Sequence, residues 1–214
     1  MVETIWESKT QDVIETIKNL KERYDINDFR TIELFCADGH LLSGDLAELS
    51  ESFVGYEINP EKEYEFRQNV PNGEFRCEDS IKMMDTISEG ALGNYNLISI
   101  DAPCCIYGEN NCEHFEIINY VYKLIKKGEK TMCVLPVVHV PYDIDKEENL
   151  AWMERRKQFY ETQENNLDLD KVCGIYDKIF EKQGLNVVDR LYVCRGHRNG
   201  IDYLYEYAYI LEKK

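Results

Sequence analysis

The chain has 214 residues, 43% of them hydrophobic and 31% charged, the balance of a single globular domain and not of a disordered or membrane-embedded one. Its 41 acidic side chains against 25 basic ones leave a net charge of −16, which argues against a protein built to grip long duplex nucleic acid. No apolar run approaches the roughly 20 residues of a membrane-spanning helix, and the opening MVETIWESKT lacks the basic and apolar regions of a secretory signal, so a cytoplasmic protein with no membrane partner is expected.

Short β-branched runs alternate with amphipathic ones, the pattern of an α/β protein with a mostly parallel sheet. A first helix over 10–24 gathers Val13, Ile14, Ile17 and Leu20 on one face. The first strand, 31–36, is broken by Ala37-Asp38-Gly39-His40 and followed by a helix over 43–50. A second strand covers 52–57, and Asn59-Pro60 opens the next helix, with proline in its first turn. Pro71-Asn72-Gly73 marks a turn into a third strand, 74–78, and a helix starts at Ser80. The fourth strand is the buried run 96–101. A helix over 113–126 then stops at Gly128, ahead of a fifth strand over 130–138.

Residues 141–166 depart from this rhythm. They hold a charged helix near 147–163 with Trp152 and Phe159, read either as a lid over the site or as an added surface helix. The basic runs Arg155-Arg156-Lys157 and Arg195/Arg198 read as solvated charge. A helix over 167–182 leads to two strands, 186–194 and 201–211, joined through Gly196–Gly200 as an antiparallel hairpin. The expectation is one α/β domain: a seven-stranded, mostly parallel sheet with helices on both faces and a C-terminal antiparallel β-hairpin.

Ligands of such open sheets bind at the carboxyl ends of the strands. The first four strands end at Cys36, Glu57, Glu78-Asp79 and Asp101, so acids gather along one edge. Glu57 is placed to accept both hydroxyls of a ribose, and Asp79 to meet an adenine amino group. Ala37 and Gly39 allow the backbone to approach a ligand closely. Each acid also has a plainer reading, as a favourable charge at a helix N-terminus. A dinucleotide fits poorly: the run 37–44 lacks G-x-G-x-x-G, and Asp38 repels a pyrophosphate.

Taken together, E-L-F-C-A-D-G (33–39), V-G-Y-E-I-N-P (54–60), C-E-D-S (77–80) and L-I-S-I-D-A-P (97–103) resemble the class I S-adenosylmethionine-dependent methyltransferases over residues 30–211. The resemblance implies the seven-stranded sheet, S-adenosylmethionine as cofactor and methyl transfer. It places Glu33, Ala37, Asp38 and Gly39 at the methionine part of the cofactor, Glu57 at the ribose and Asp79 at the adenine, with Phe35, Ile58 and Ser80 as further cofactor-binding residues. The family pattern E/D-x-G-x-G-x-G keeps one glycine here, Gly39, read as the middle one.

The segment 101–108 is similar to the D-P-P-Y loop of amino-methylating nucleic-acid enzymes. Asp101 and Pro103 match it; Ala102 and Cys104 depart from it. The resemblance implies that Asp101 and the backbone at Pro103 receive the target amine, with Tyr107 stacking on a base. The same loop is similar to the D-A-P-C stretch of RNA cytosine-5 methyltransferases, but their second, attacking cysteine has no counterpart: Cys133 falls in mid-strand. Most of the eight cysteines read as small buried hydrophobes of a reducing compartment. Cys104, Cys105, Cys112 and His114 cluster, yet adjacent cysteines suit one zinc poorly, so no metal is expected. His40 and His139 are candidate pocket bases. The activity expected is methyl transfer to a nucleobase or other amine nitrogen, on a small-molecule, nucleotide or nucleic-acid acceptor. The alternative is a catalytically inactive module of this fold acting as a protein-binding or regulatory subunit.

Overall fold

The structure is a computed structural model and describes residues 4–90, 95–102 and 113–213. Pro103, Tyr107 and the cysteines at 104, 105 and 112 lie outside the described residues. The elements follow the expected rhythm: β1 (Trp6–Ser8), α1 (Thr10–Arg23), β2 (Phe29–Leu34), α2 (Ser43–Glu48), β3 (Ser50–Glu57), α3 (Glu63–Asn69), β4 (Glu74–Cys77), α4 (Ser80–Thr86), β5 (Leu97–Ile100), α5 (Glu113–Ile117), β6 (Lys130–Val138), α6 (Glu147–Phe159), α7 (Leu169–Lys182), β7 (Leu185–Arg198) and β8 (Ile201–Lys213).

They form one mixed sheet of eight strands in the order β1-β7-β8-β6-β5-β2-β3-β4. β2 pairs in parallel with β3 and β5, β3 with β4, and β5 with β6. β8 runs antiparallel to both β6 and β7. The expected seven strands are all present; the eighth is β1, whose three residues pair antiparallel with β7 from Trp6↔Arg198 to Ser8↔Gly196. A three-residue edge strand is too short to show a period of two, which is why the sequence pattern misses it.

The closing hairpin also differs in detail. Gly196, His197 and Arg198 belong to β7, and the turn is the Asn199-Gly200 pair, with φ of 52° and 74°. Two consecutive left-handed residues make a type I′ turn, whose twist matches that of the strands it joins. The single helix expected over 113–126 is instead α5 followed by a 3-10 segment, Ile118–Lys123.

Both faces of the central strands are apolar, as parallel strands covered by helices require. Ile32, Leu34, Ile98, Ile100, Leu135 and Val137 face the core formed with α5, α6 and α7. Phe29, Leu97, Met132 and Val134 face the other, under α1. Helix α6 is part of the first core: Trp152, Met153 and Tyr160 are buried in it. Arg156 is 1% exposed and is not solvated charge. Its guanidinium donates to the carbonyls of Asn165 at 2.6 Å, Val138 at 2.8 Å and His139 at 3.2 Å, tying α6 to the end of β6, and burial pushes its pKa down to about 10. Its neighbour Arg155 pairs with Glu116.

Candidate active site

The strand order turns back on itself at β2, which lies between β5 and β3, and the loops leaving the carboxyl ends of these strands define the crevice where this architecture binds ligands. The loop after β2 has an unusual backbone. Phe35, Ala37 and Gly39 have φ of 65°, 47° and 72°. Counted from Glu33, these are the three glycine places of E/D-x-G-x-G-x-G, so Gly39 is the last of them and not the middle one. The left-handed region costs a non-glycine residue about 1–2 kcal/mol, and such strain persists only where the surroundings enforce it. Here they do. The Cys36 amide donates to the Tyr56 carbonyl at 3.0 Å. The Ala37 amide donates to Glu57 Oε2 at 3.2 Å, and Asn69 Nδ2 to the Asp38 carbonyl at 2.8 Å. At Gly39 a Cβ would lie 2.7 Å from Val70 Cγ2, so only glycine fits.

Glu33 is fully buried in β2. Ser99 Oγ donates to its Oε1 at 2.9 Å, and its Oε2 has no hydrogen-bond partner among the described residues. Burial, then the charge of Asp101, pushes its carboxyl up to about 7. Asp101, just past β5, is gripped by Arg195 from β7: Nη1 to Oδ1 at 2.8 Å and Nη2 to Oδ2 at 3.0 Å. The same Nη1 reaches Glu206 Oε2 on β8 at 3.0 Å. Burial raises Glu206 to about 7, against the pull of Arg195. Three carboxyls thus share one guanidinium in a buried space, an environment short of positive charge. Asp38 differs: desolvation pushes its carboxyl up, but hydrogen bonds from His40 and Lys62 outweigh this and hold it down at about 2.

The remaining predicted cofactor residues line up along the neighbouring strand ends. Glu57 closes β3, its Oε1 accepting from the Asn59 amide at 2.8 Å. It is not a cap; Asn59 caps the 3-10 segment Pro60–Lys62 that leads into α3, accepting from the Glu61 amide at 3.0 Å. Ile58 beside it is exposed. Asp79 is the N-cap of α4, accepting from the amides of Ile81 and Lys82 at 3.0 and 3.2 Å. Ser80 is buried, with its Oγ unpartnered among the described residues.

A cavity of about 550 Å³ opens over this edge; Phe35, Ala37, Asp38 and Asp101 line it, with His40, Arg195, Trp6 and Tyr203. Glu57, Ile58, Asp79 and Ser80 lie beyond its wall, and no residue of α6 lines it. A depression of about 740 Å³ at the opposite ends of β2 and β3, lined by Lys18, Lys21 and Arg30 with Glu22, Asp25, Asp28 and Glu51, is remote from the strand-end acids at the carboxyl edge. His40 is at the cavity rim, its Nδ1 2.6 Å from Asp38 Oδ1. His139 is buried away from it: Nδ1 donates to the Leu167 carbonyl at 3.0 Å, and Nε2 accepts from Tyr207 at 2.7 Å. Burial holds its pKa down at about 4. His114 is likewise enclosed; Nδ1 donates to the Ala102 carbonyl and Nε2 accepts from Tyr176, both at 3.0 Å. Burial keeps it neutral, with a pKa of about 3.

Arg195, Glu206 and the cavity wall at Trp6 and Tyr203 escape sequence reasoning. Arg195, expected with Arg198 to be solvated charge, is instead buried and bound to two acids; β7 also carries Arg190 and Arg198, so residue type alone does not single it out.

Compared with solved structures, the chain aligns over most of its length with enzymes that share this sheet. It matches the magnesium protoporphyrin IX methyltransferase of Synechocystis PCC 6803, solved with bound SAH, at a TM-score of 0.56 and 14% identity, over 96% of this chain and 83% of that one. It matches the plantazolicin methyltransferase BamL at a TM-score of 0.60 and 9% identity, over 96% and 85%. It matches the N-methyltransferase NodS of Bradyrhizobium japonicum WM9 at a TM-score of 0.57 and 12% identity, over 95% and 96%. The chain has the fold of the class I S-adenosylmethionine-dependent methyltransferases. No protein-family model matches its sequence, and no curated protein does. Within the methyltransferase fold, β2 to β6 are the five parallel strands, β7 and β8 the closing hairpin, and β1 an addition at the edge. Among the described residues, no helix is long and apolar enough to cross a membrane.

Proposed function

We propose that the chain is an S-adenosylmethionine-dependent methyltransferase acting on an amine nitrogen, of a nucleobase or of a smaller amine. The observation that carries this reading is the loop Phe35–Gly39. It keeps the left-handed turns of a glycine-rich cofactor loop at two places where glycine is absent, and such strain clusters where function requires a fixed backbone. This speaks for a working site and against an inactive module.

The residues fit the cofactor. The surplus of buried carboxyls over the one guanidinium, with Asp101 lining the cavity, suits a ligand with a cationic end. Phe35, Ala37, Asp38 and Gly39 supply the backbone against its methionine part. Glu57 holds the ribose: each of its oxygens already accepts one amide and retains a lone pair for a hydroxyl. Ile58 offers an exposed apolar surface to the adenine, and Asp79 and Ser80 offer polar atoms at its edge. When bound, the cofactor supplies an electrophilic methyl group.

The protein's own contribution is alignment, the largest effect available to a transfer between two bound reactants. Asp101, immobilised by Arg195, orients the acceptor amine by accepting its N–H. In the resemblance, the backbone at Pro103 and the ring of Tyr107 complete the acceptor side. Trp6 and Tyr203 give the cavity aromatic walls, with their rings 5.2 Å apart and edge to face.

The test is incubation of the purified chain with a methyl-labelled donor and separate panels of nucleosides, amines and peptides, with the product site located by mass spectrometry. A nitrogen-methylated product is expected. Methylation only at oxygen or carbon would reject the amine reading and keep the transferase.

A further inference from the structure

We propose that Cys194, His197 and Asp202 form a metal site of the zinc class on the closing hairpin, beside β1. The hairpin brings them together by a local irregularity. Three residues apart on a regular strand, Cys194 and His197 would face opposite sides. The register slips between Cys194 and Gly196 and again between Gly196 and His197, so that Arg195 on β7 and Tyr203 on β8 are each extra residues. These paired bulges re-aim the side chains. Cys194 and His197 now share one face with their cross-strand partners Tyr205 and Asp202, while Arg195 turns towards Asp101 and Glu206.

One ligand atom from each of the three lies within 4.8 Å of the others, and His197 Nε2 is 2.8 Å from Asp202 Oδ1. Bond lengths of about 2.0–2.3 Å around tetrahedral zinc put its ligands roughly 3.3–3.8 Å apart, so shifts of an ångström or less seat the ion. Thiolate, imidazole and carboxylate together select zinc-like ions over magnesium or calcium.

The surroundings are those of ligands already oriented. A metal-binding imidazole typically gives its other nitrogen to a carboxylate, and His197 Nδ1 is 3.4 Å from Glu7 Oε2. Ligating carboxylates are themselves hydrogen-bonded, and Tyr205 donates to Asp202 Oδ2 at 3.0 Å. Three protein ligands leave a fourth position open, on the side where Asp202 is exposed. On binding, the Cys194 thiol loses its proton to solvent and His197 coordinates through an unprotonated Nε2. Glu7 sits on β1 and lines the cavity with Ser8 and Trp6, so the ion fixes β1, and with it one wall of the cavity.

The full-length chain, stripped by chelation, is titrated with zinc alone and in parallel with cobalt. One ion per chain is expected, and the cobalt form should show thiolate-to-metal charge transfer with tetrahedral d–d bands. Cys194→Ser and Asp202→Asn should weaken binding by more than the 10–100-fold typical of losing an outer partner, and Glu7→Gln by that 10–100-fold. Serine at positions 104, 105 and 112 together should leave binding unchanged. Zinc should also protect Cys194 from alkylation in the unmutated protein, a readout that does not depend on a variant folding. Absence of stoichiometric binding would overturn the proposal and leave His197 as an ordinary ion-pair partner of Glu7 and Asp202. So would binding indifferent to Cys194→Ser and Asp202→Asn, loss confined to the triple serine variant, or a Cys194 that zinc does not protect.

Discussion

Arg195 holds both carboxylate oxygens of Asp101, at 2.8 and 3.0 Å, across the boundary between the closing hairpin and the parallel sheet. The grip fixes the orientation of the one acid that faces the cavity from the fourth strand end. It also takes up the guanidinium's planar fork, which a lysine could not reproduce. Arg195 is 5% exposed and Glu206 1%, so the pairing is made away from water, where an unpaired charge is costly.

Arg195→Met leaves Asp101 and Glu206 without their partner. Removing one side of a buried pair costs about 3–5 kcal/mol, and a loss of that order is expected in urea denaturation at neutral pH. A change within experimental error would show that water reaches the network.

Asp101→Asn tests the acceptor side separately from the cofactor side. Misplacement of a reactant by about 1 Å costs roughly 100-fold in rate. Turnover is therefore expected to fall at least about 100-fold while cofactor affinity stays within a few-fold, measured by steady-state kinetics and calorimetry on the same preparation.

The loop after β2 gives opposite predictions at two neighbouring positions. Ala37 is exposed and left-handed, so Ala37→Gly relieves strain of about 1–2 kcal/mol and gives back about 0.4–1 kcal/mol in unfolded-chain entropy. A net gain between about zero and 1.6 kcal/mol is expected in denaturant unfolding. Gly39→Ala places a Cβ 2.7 Å from Val70 and 3.1 Å from Phe66, and is expected to lower stability and weaken cofactor binding together.

Glu33 and Glu206 carry carboxyls raised to about 7 by burial, against an unfolded value near 4.3. The folded state therefore keeps protons that the unfolded state gives up. Their contribution to stability is full below the unfolded value and is lost as pH rises through about 7. Glu33→Gln retains the Ser99 hydrogen bond without a charge to bury. The variant is expected to gain stability relative to the parent at pH 8 and not at pH 4, in melting curves across that range, while losing cofactor affinity.

Helix α6 packs into the core through Trp152 and Met153. Trp152 is 4% exposed, and truncating a buried tryptophan typically costs about 3–5 kcal/mol. Trp152→Ala is expected to lose stability of that order. A variant as stable as the parent but slower in turnover would restore the lid reading of 141–166.

The parallel core was legible because its strands are continuous apolar runs and its helices carry period-3.6 faces, as in α1, where Val13, Ile14, Ile17 and Leu20 are all buried. The strand-end acids were legible because topology places strand ends together. What the sequence hid depends on contacts between distant segments. β1 has three residues and no periodicity of its own, and it exists as a strand because β7 extends past the rest of the sheet to meet it. Arg156 looks like one cation of a basic run, and the carbonyls it meets at the end of β6 and at Asn165 explain its burial. The bulges that aim Arg195 at Asp101 shift register by single residues, which leaves no mark on hydrophobic pattern. Gly39 was read as the middle glycine of the motif and not the last, because residue type alone does not reveal the left-handed φ of Phe35 and Ala37.

The central claim is that the edge built from Glu33, the Phe35–Gly39 loop, Glu57 and Asp79 holds S-adenosylmethionine. Calorimetric titration of the folded chain with S-adenosylmethionine and with S-adenosylhomocysteine, repeated on Glu57→Ala, tests it most directly. Micromolar binding of both ligands to the parent chain and a clear loss of affinity in the variant are expected. Binding of neither ligand by a chain shown to be folded, or binding unaltered by Glu57→Ala, would contradict it.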